Sequence, residues 1–323
     1  MDMNDTITDI IKTQKPYLKP TSVSQYVKSI IRLYEKLGGT DDTFATFDFL
    51  KDEENVEKYL SEFSFTTRRN YYSAIITLLQ SEEKPNKKLI QKYDTIVREN
   101  NKKYVEQNET GIVSEKQKDK LVPMETINNL LMSLKKEKSQ MEYILFKLLA
   151  LYHLRNEVAT LRKITPTEYK KLDKVEREGN NYMVVGTKKI TIYRNDYKTN
   201  KKYGTIKFDI TDKEFQKELR EYLDTLNSNI VFPYNNDFMT KKRLTNHLMY
   251  YSKKHIGIGL STTMLAKSIL SHKYAEQQKG QQEDAKVRGH SVSVQNSVYV
   301  KSLPEDEGEK EFNEEESDNE VEE

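Results

Sequence analysis

Apolar side chains recur at spacings of three and four from Thr21 to Leu37 (TSVSQYVKSIIRLYEKL), which places Val23, Tyr26, Ile30, Leu33 and Leu37 on one face. That period predicts an amphipathic helix with Thr21 or Ser22 as its cap and Gly38-Gly39 as its end. Residues 1–15 read as a polar leader, and Phe47 to Phe63 as a short second helical segment. From Thr66, read as a cap, to Leu79 another helix sets Tyr72, Ile75, Ile76 and Leu79 opposite Arg68 and Arg69. Residues 16–98 are therefore expected to form a small helical bundle. Residues 99–121 are polar, contain Gly111 and read as a linker. A second domain is expected over 122–303. It starts at Pro123 with METINNLLMSLKKE and continues from Gln140 to Leu154 in a helix apolar nearly all round, hence buried. Alternation between Asn181 and Asp212, broken at Gly186 and at YKTNKKYG, predicts three antiparallel strands. Helices are expected from Lys213 to Asn227, Lys241 to His255, Thr262 to Gln278 and Ser293 to Lys301. The fold class expected is mainly α with a small antiparallel β-sheet, an α+β arrangement, and no internal repeat is visible.

Length and charge sharpen this picture. At roughly 100–200 residues per domain, 323 residues fit two domains, and 36% hydrophobic content suffices for packed cores. The longest apolar stretch, Tyr143 to Leu154, is interrupted by Lys147 and His153 and is too short for a membrane span. The opening MDMNDTITDI lacks the charged-then-apolar pattern of a secretion signal. With no cysteine there is no disulfide framework, thiolate metal site or cysteine nucleophile. The formal net charge of +2 conceals a division: residues 304–323 hold twelve acidic side chains and one lysine, leaving 52 basic against 39 acidic in residues 1–303. A basic body suits phosphate-rich partners, and the acidic stretch is expected to be a disordered, solvating tail.

Four residues stand out chemically. Arg155 directly follows a buried apolar helix, where a guanidinium is costly unless paired or aimed into a site. A surface arginine at a helix end is the alternative. Lys198 falls in a hairpin turn beside Lys201 and Lys202, where basic side chains are common. His290 follows Gly289, and Tyr299 lies nine residues beyond it. Alone, Lys198 is a weak signal, and a lone histidine or tyrosine is more often structural than functional.

In this order the residues resemble the tyrosine recombinase (phage-integrase-like) family, over most of the chain from about Pro16 to Lys301. RNE at 155–157 looks like the family's first arginine box, YKT at 197–199 its hairpin lysine, and GHS followed by Tyr299 its last two elements. The wording is most similar to integrases of large DNA viruses and virophages. The His-x-x-Arg box aligns with STTMLAKSILSH, which puts Thr263 at the histidine position and Ala266 at the arginine position, with Lys267 adjacent as a substitute cation.

The resemblance implies a helical core-binding domain and a recombinase-like catalytic domain clamped around duplex DNA, acting as a homo-oligomer of two to four copies without membrane, metal or cofactor. It implies that Tyr299 is the nucleophile of a 3′-phosphotyrosyl intermediate, that Arg155 and His290 stabilise the phosphoryl oxygens, and that Lys198 protonates the leaving 5′-oxygen. Arg68, Arg69, Lys201 and Lys202 are expected to contact DNA. The expected reaction is DNA integration or recombination for a viral genome or mobile element, attenuated or silenced by Ala266. It would act wherever its DNA lies: host nucleus, viral factory, prokaryotic cytoplasm or virion. A type IB topoisomerase and a non-catalytic DNA-binding relative are the alternatives.

Overall fold

In the computed structural model, residues 3–40, 44, 46–109, 115–289 and 292–296 are described, and they divide into two compact units, Met1–Ile112 and Val113–Glu323. The architecture is mostly helical with a small sheet, an α+β fold.

The first unit packs helices Met3–Gln14, Pro20–Lys36, Glu53–Ser61, Phe65–Leu79 and Lys87–Glu109 around one core. The expected polar leader is a helix, because Ile7 and Ile11, one turn apart, are fully buried in that core. The expected linker is also corrected in part: the Lys87–Glu109 helix runs through its first half. Two caps differ from the sequence reading. Pro20, whose fixed φ suits a first helical turn, starts the second helix after an uncapping Lys19. Ser64, rather than Thr66, accepts from the Thr67 N–H. The expected single segment from Phe47 to Phe63 is split, because Phe47 takes a left-handed φ of 53° before a short 3₁₀ turn at Asp48–Leu50. Asp52 then caps Glu53–Ser61 through the Asn55 N–H at 3.1 Å.

The second unit contains helices Met124–Lys136, Gln140–Tyr152, Lys213–Asp224, Lys241–Ile256 and Thr262–Arg288. Among the described residues its main sheet has four strands rather than three, and a separate two-stranded pair joins Pro233–Tyr234 to Asp237–Phe238. β1 (Leu161–Ile164) runs parallel to β2 (Asn181–Val185), which pairs antiparallel with β3 (Ile190–Arg194), itself antiparallel to β4 (Ile206–Asp209). The LRKI sequence of β1 shows little alternation, so its strand character comes from pairing, with Leu161 opposite Asn181. Two short helices, Pro166–Lys171 and Lys174–Gly179, make the crossover from β1 to β2. Thr165 and Glu168 form a reciprocal capping box at the first of them. The helix expected from Thr262 to Gln278 runs on to Arg288, where Gly289 closes it at φ +71°. The helix expected from Ser293 lies mostly outside the described residues.

One ion cluster links three helices of this unit, Met124–Lys136, Gln140–Tyr152 and Lys213–Asp224. Glu218 Oε1 accepts from Lys135 at 2.6 Å, while its Oε2 accepts from Lys147 and from the Tyr143 hydroxyl, each at 2.8 Å. Burial by itself would raise the Glu218 pKa, but these three donors outweigh it and hold the carboxyl below its ordinary value near 4.5. A carboxylate held low stabilises the fold above its unfolded-state pKa and loses that contribution as pH falls through the folded value. Glu218→Gln should thus lower the denaturation midpoint at pH 7, and the gap from the unaltered chain should narrow at pH 3. Equal gaps at both pH values would show that the charge is not what the cluster uses.

Candidate functional site

The second unit gathers several of the sequence-selected positions through the short segment from Arg155 to Thr160. Arg155 itself is exposed at the start of the 3₁₀ turn Asn156–Thr160, directly after the buried Leu154. Its neighbour Asn156 is a three-way tie. The Asn156 Oδ1 accepts from the Thr262 hydroxyl at 2.6 Å, and its Nδ2 donates to the Thr245 hydroxyl at 3.1 Å and the Lys241 carbonyl at 3.4 Å. The backbone that carries Arg155 is thereby tied to two helices, one of them the helix that carries Thr263, Ala266 and Lys267.

That helix starts cleanly. Ser261 accepts from the Met264 N–H, and the Thr262 hydroxyl reaches Asn156. Ala266 lies one turn beyond Thr262 and is half-buried, Thr263 is exposed, and the Lys267 Nζ donates to Gln117 at 2.8 Å. Removing an N-cap typically costs about 1 kcal/mol. Ser261→Ala is expected to lower stability by about that amount in chemical denaturation; no change would show that the first turn is held by Thr262 alone.

The other side of the segment reaches the hairpin. Glu157 pairs with Arg194 at the end of β3, both largely buried, and the Arg194 guanidinium lies over the Tyr197 ring at 4.9 Å. Lys198 follows in the β3–β4 connection, exposed, with Lys201 and Lys202 exposed on the helical turn Asn200–Tyr203. Tyr197 is buried and donates to the Gly204 carbonyl at 2.8 Å, closing the loop. Gly204 adopts φ 66°, ψ −157°, a conformation essentially confined to glycine.

Below the loop sits a buried amide network. Asn181 accepts from the Asn195 and Asp196 N–H groups at 2.9 and 3.0 Å, and donates to the Asp196 carbonyl at 2.9 Å and the Thr160 hydroxyl at 3.2 Å. Asn195 in turn bonds the Asn180 carbonyl and the Thr205 hydroxyl, and its own carbonyl accepts from Asn200. Sequence reasoning missed Asn156, Glu157, Asn181, Arg194 and Asn195 as organising residues. Asparagines at strand ends, in EGNNY and YRNDY, were the available signal.

His290, Tyr299 and the acidic stretch from Pro304 lie outside the described residues. In the first unit Arg68 and Arg69 are half-buried rather than on an open face. The Arg68 Nε is buried without a partner among the described residues, and Arg69 donates to Asn101 at 3.2 Å with its guanidinium 5.3 Å from the Tyr104 ring centre. Among the described residues no group of three or more His, Asp or Glu is placed to hold a metal ion. No helix there is long and apolar enough to cross a membrane.

No family model matches the chain, and no curated protein matches it. Among solved structures, one titled "Crystal structure of XerA recombinase" aligns over 97% of this chain and 98% of that one, at 11% identity and a TM-score of 0.34. At that superposition the likeness carries no weight for function.

Proposed function

We propose that the chain is a DNA strand-breaking and rejoining protein of the tyrosine recombinase kind, with cleavage attenuated by Ala266. The observation that carries this reading is the Arg155–Thr160 segment. Asn156 ties it to the helix bearing the degenerate box, and Glu157 ties it to the strand leading into Lys198. The backbone that carries Arg155 is thus joined both to the helix of the degenerate box and to the strand that enters the Lys198 loop.

In the reaction proposed, the Tyr299 hydroxyl gives its proton to a general base as its oxygen bonds to a DNA phosphorus, and the bond from phosphorus to the 5′-oxygen breaks. Lys198 gives that oxygen its proton. A tyrosine hydroxyl is a weak nucleophile at its ordinary pKa of about 10, so charge stabilisation on the phosphoryl oxygens must do much of the catalysis. Arg155 supplies a permanent charge in a planar fork suited to two of those oxygens, with His290 beside it in role. Energy is kept in the phosphotyrosyl bond, so rejoining needs no nucleotide cofactor. Duplex DNA is the partner, bound through the basic side chains of residues 1–303, with Lys201 and Lys202 next to the reacting phosphate and Arg68 and Arg69 in the first unit. Integration or excision of viral or mobile DNA by a homo-oligomer is the biological setting this chemistry fits.

A second reading, a non-catalytic DNA-binding relative, is favoured by one observation. The box offers Thr263 and Ala266, and Lys267 is turned to Gln117. Covalent trapping separates the two. The chain is incubated with nicked duplexes of randomised central sequence and run on a denaturing gel beside Tyr299→Phe and Ala266→Arg. A slow band that Tyr299→Phe abolishes supports the catalytic reading. DNA binding with no band from any version supports the second.

A further inference from the structure

Resting on that reading, we propose that Asn181 is the positioning residue for Lys198: a buried amide that locks the β3–β4 loop so that the lysine amine is held at the leaving oxygen. Asn181 is only 1% exposed, and Asn195 only 4%. A buried primary amide has two donor hydrogens and two acceptor lone pairs, and Asn181 uses all four. Three of the four go to the backbone of Asn195 and Asp196, the residues just before Tyr197-Lys198. The fourth goes to Thr160, at the end of the segment that begins beside Arg155. One side chain therefore bridges the arginine segment and the lysine loop.

Sheet pairing alone does not supply this. β3 ends at Arg194 and β4 begins at Ile206, so the eleven residues between them lie outside the ladder. From Asn200 to Gly204 the turn bonds its own backbone, as in the Gly204 N–H to the Asn200 carbonyl at 2.7 Å, whereas the Asn195 and Asp196 backbone is met by the Asn181 and Asn200 side chains and the Gly204 carbonyl by the Tyr197 hydroxyl. Lys198 makes no hydrogen bond or ion pair among the described residues, so its reach is set by the loop's backbone. A loosened loop spreads that amine over many positions, and a proton donor misplaced by about 1 Å can lose about 10²-fold in rate.

Two measurements test the proposal. The first uses DNA carrying sulfur in place of the 5′-bridging oxygen at the scissile phosphate. There the Tyr299 hydroxyl gives its proton to the same general base as its oxygen bonds to phosphorus and the P–S bond breaks, and the thiolate leaves with the electron pair, needing no proton because a thiol ionises near pH 8.5. In the full-length Ala266→Arg chain, Lys198→Ala and Asn181→Ala should each slow cleavage of ordinary DNA, by about 10²-fold for the lysine and at least about tenfold for the asparagine. Both should recover on the sulfur-containing DNA, whereas Arg155→Ala should not. Asn181→Asp, which keeps the acceptor for the two backbone N–H groups, should lose less than Asn181→Ala. An Asn181→Ala defect that persists on sulfur-containing DNA overturns the proposal.

The second measurement is independent of cleavage. Trypsin should cut after Lys198, Lys201 and Lys202 at least about tenfold faster in Asn181→Ala than in the unaltered chain, while cutting elsewhere is unchanged. Equal rates overturn the clamp itself. If no version forms an adduct on either DNA, the catalytic role of Lys198 falls together with the functional reading, and the trypsin result shows separately whether the clamp is real.

Discussion

Ala266→Arg is expected to raise the rate of covalent adduct formation on nicked DNA by roughly 10²–10³, the usual worth of one preorganised donor to a developing oxyanion. Position 266 is suited to this. It is half-buried, one turn beyond Thr262, whose hydroxyl is bonded to Asn156, the residue after Arg155. A guanidinium there would extend from the helix that Asn156 ties to the Arg155 segment. Lys267 is a poor replacement for three reasons. A single residue step carries it about 100° round the helix from residue 266, and its amine is engaged by Gln117. An ammonium also cannot bond two phosphate oxygens in one plane. Double substitution with Tyr299→Phe should abolish the gained band. A gain below about threefold, with DNA affinity unchanged, would place the missing arginine elsewhere in the fold.

Glu157→Ala is expected to destabilise the second unit by about 3 kcal/mol or more, the cost of leaving one member of a buried ion pair without its partner. Glu157 and Arg194 keep only 8% and 15% of their side-chain surface, and the Arg194 Nε is already buried without a partner among the described residues. With the carboxylate gone, the guanidinium retains chiefly the face of the Tyr197 ring. Replacing both members with leucine should recover much of the loss, since an apolar pair incurs no desolvation cost for charge. Adduct formation, by contrast, should stay impaired in the double variant, because the pair also joins the Arg155 segment to the strand entering the Lys198 loop. Denaturant midpoints of the two single variants and the double variant check the first part. A loss under about 1 kcal/mol for Glu157→Ala would mean that water reaches the pair.

The helices with a strong apolar face were legible in the sequence to within a few residues. The period from Val23 to Leu33 and the apolar run from Tyr143 to Leu149 each demand one buried face, whatever they pack against. The leader was not legible. Its helix buries only Ile7 and Ile11, two residues in a polar stretch, and they count as core only once a neighbouring surface covers them. β1 was missed for a similar reason: LRKI becomes a strand through its parallel register with β2.

The candidate site divides along the same line. Sequence by itself nominated Arg155, Lys198, His290 and Tyr299, by residue type, order and the resemblance that they carry. It also determined that position 266 holds an alanine. Tertiary structure alone decided that the backbone carrying Arg155 is tied to the helix carrying Ala266, that Lys267 turns to Gln117, and that Arg68 and Arg69 are half-buried. It alone gave Asn156, Glu157 and Asn181 their parts. The physical reason is that a hydrogen bond or an ion pair depends on separation in space, and the partners here stand 106, 37 and 21 residues apart in the chain.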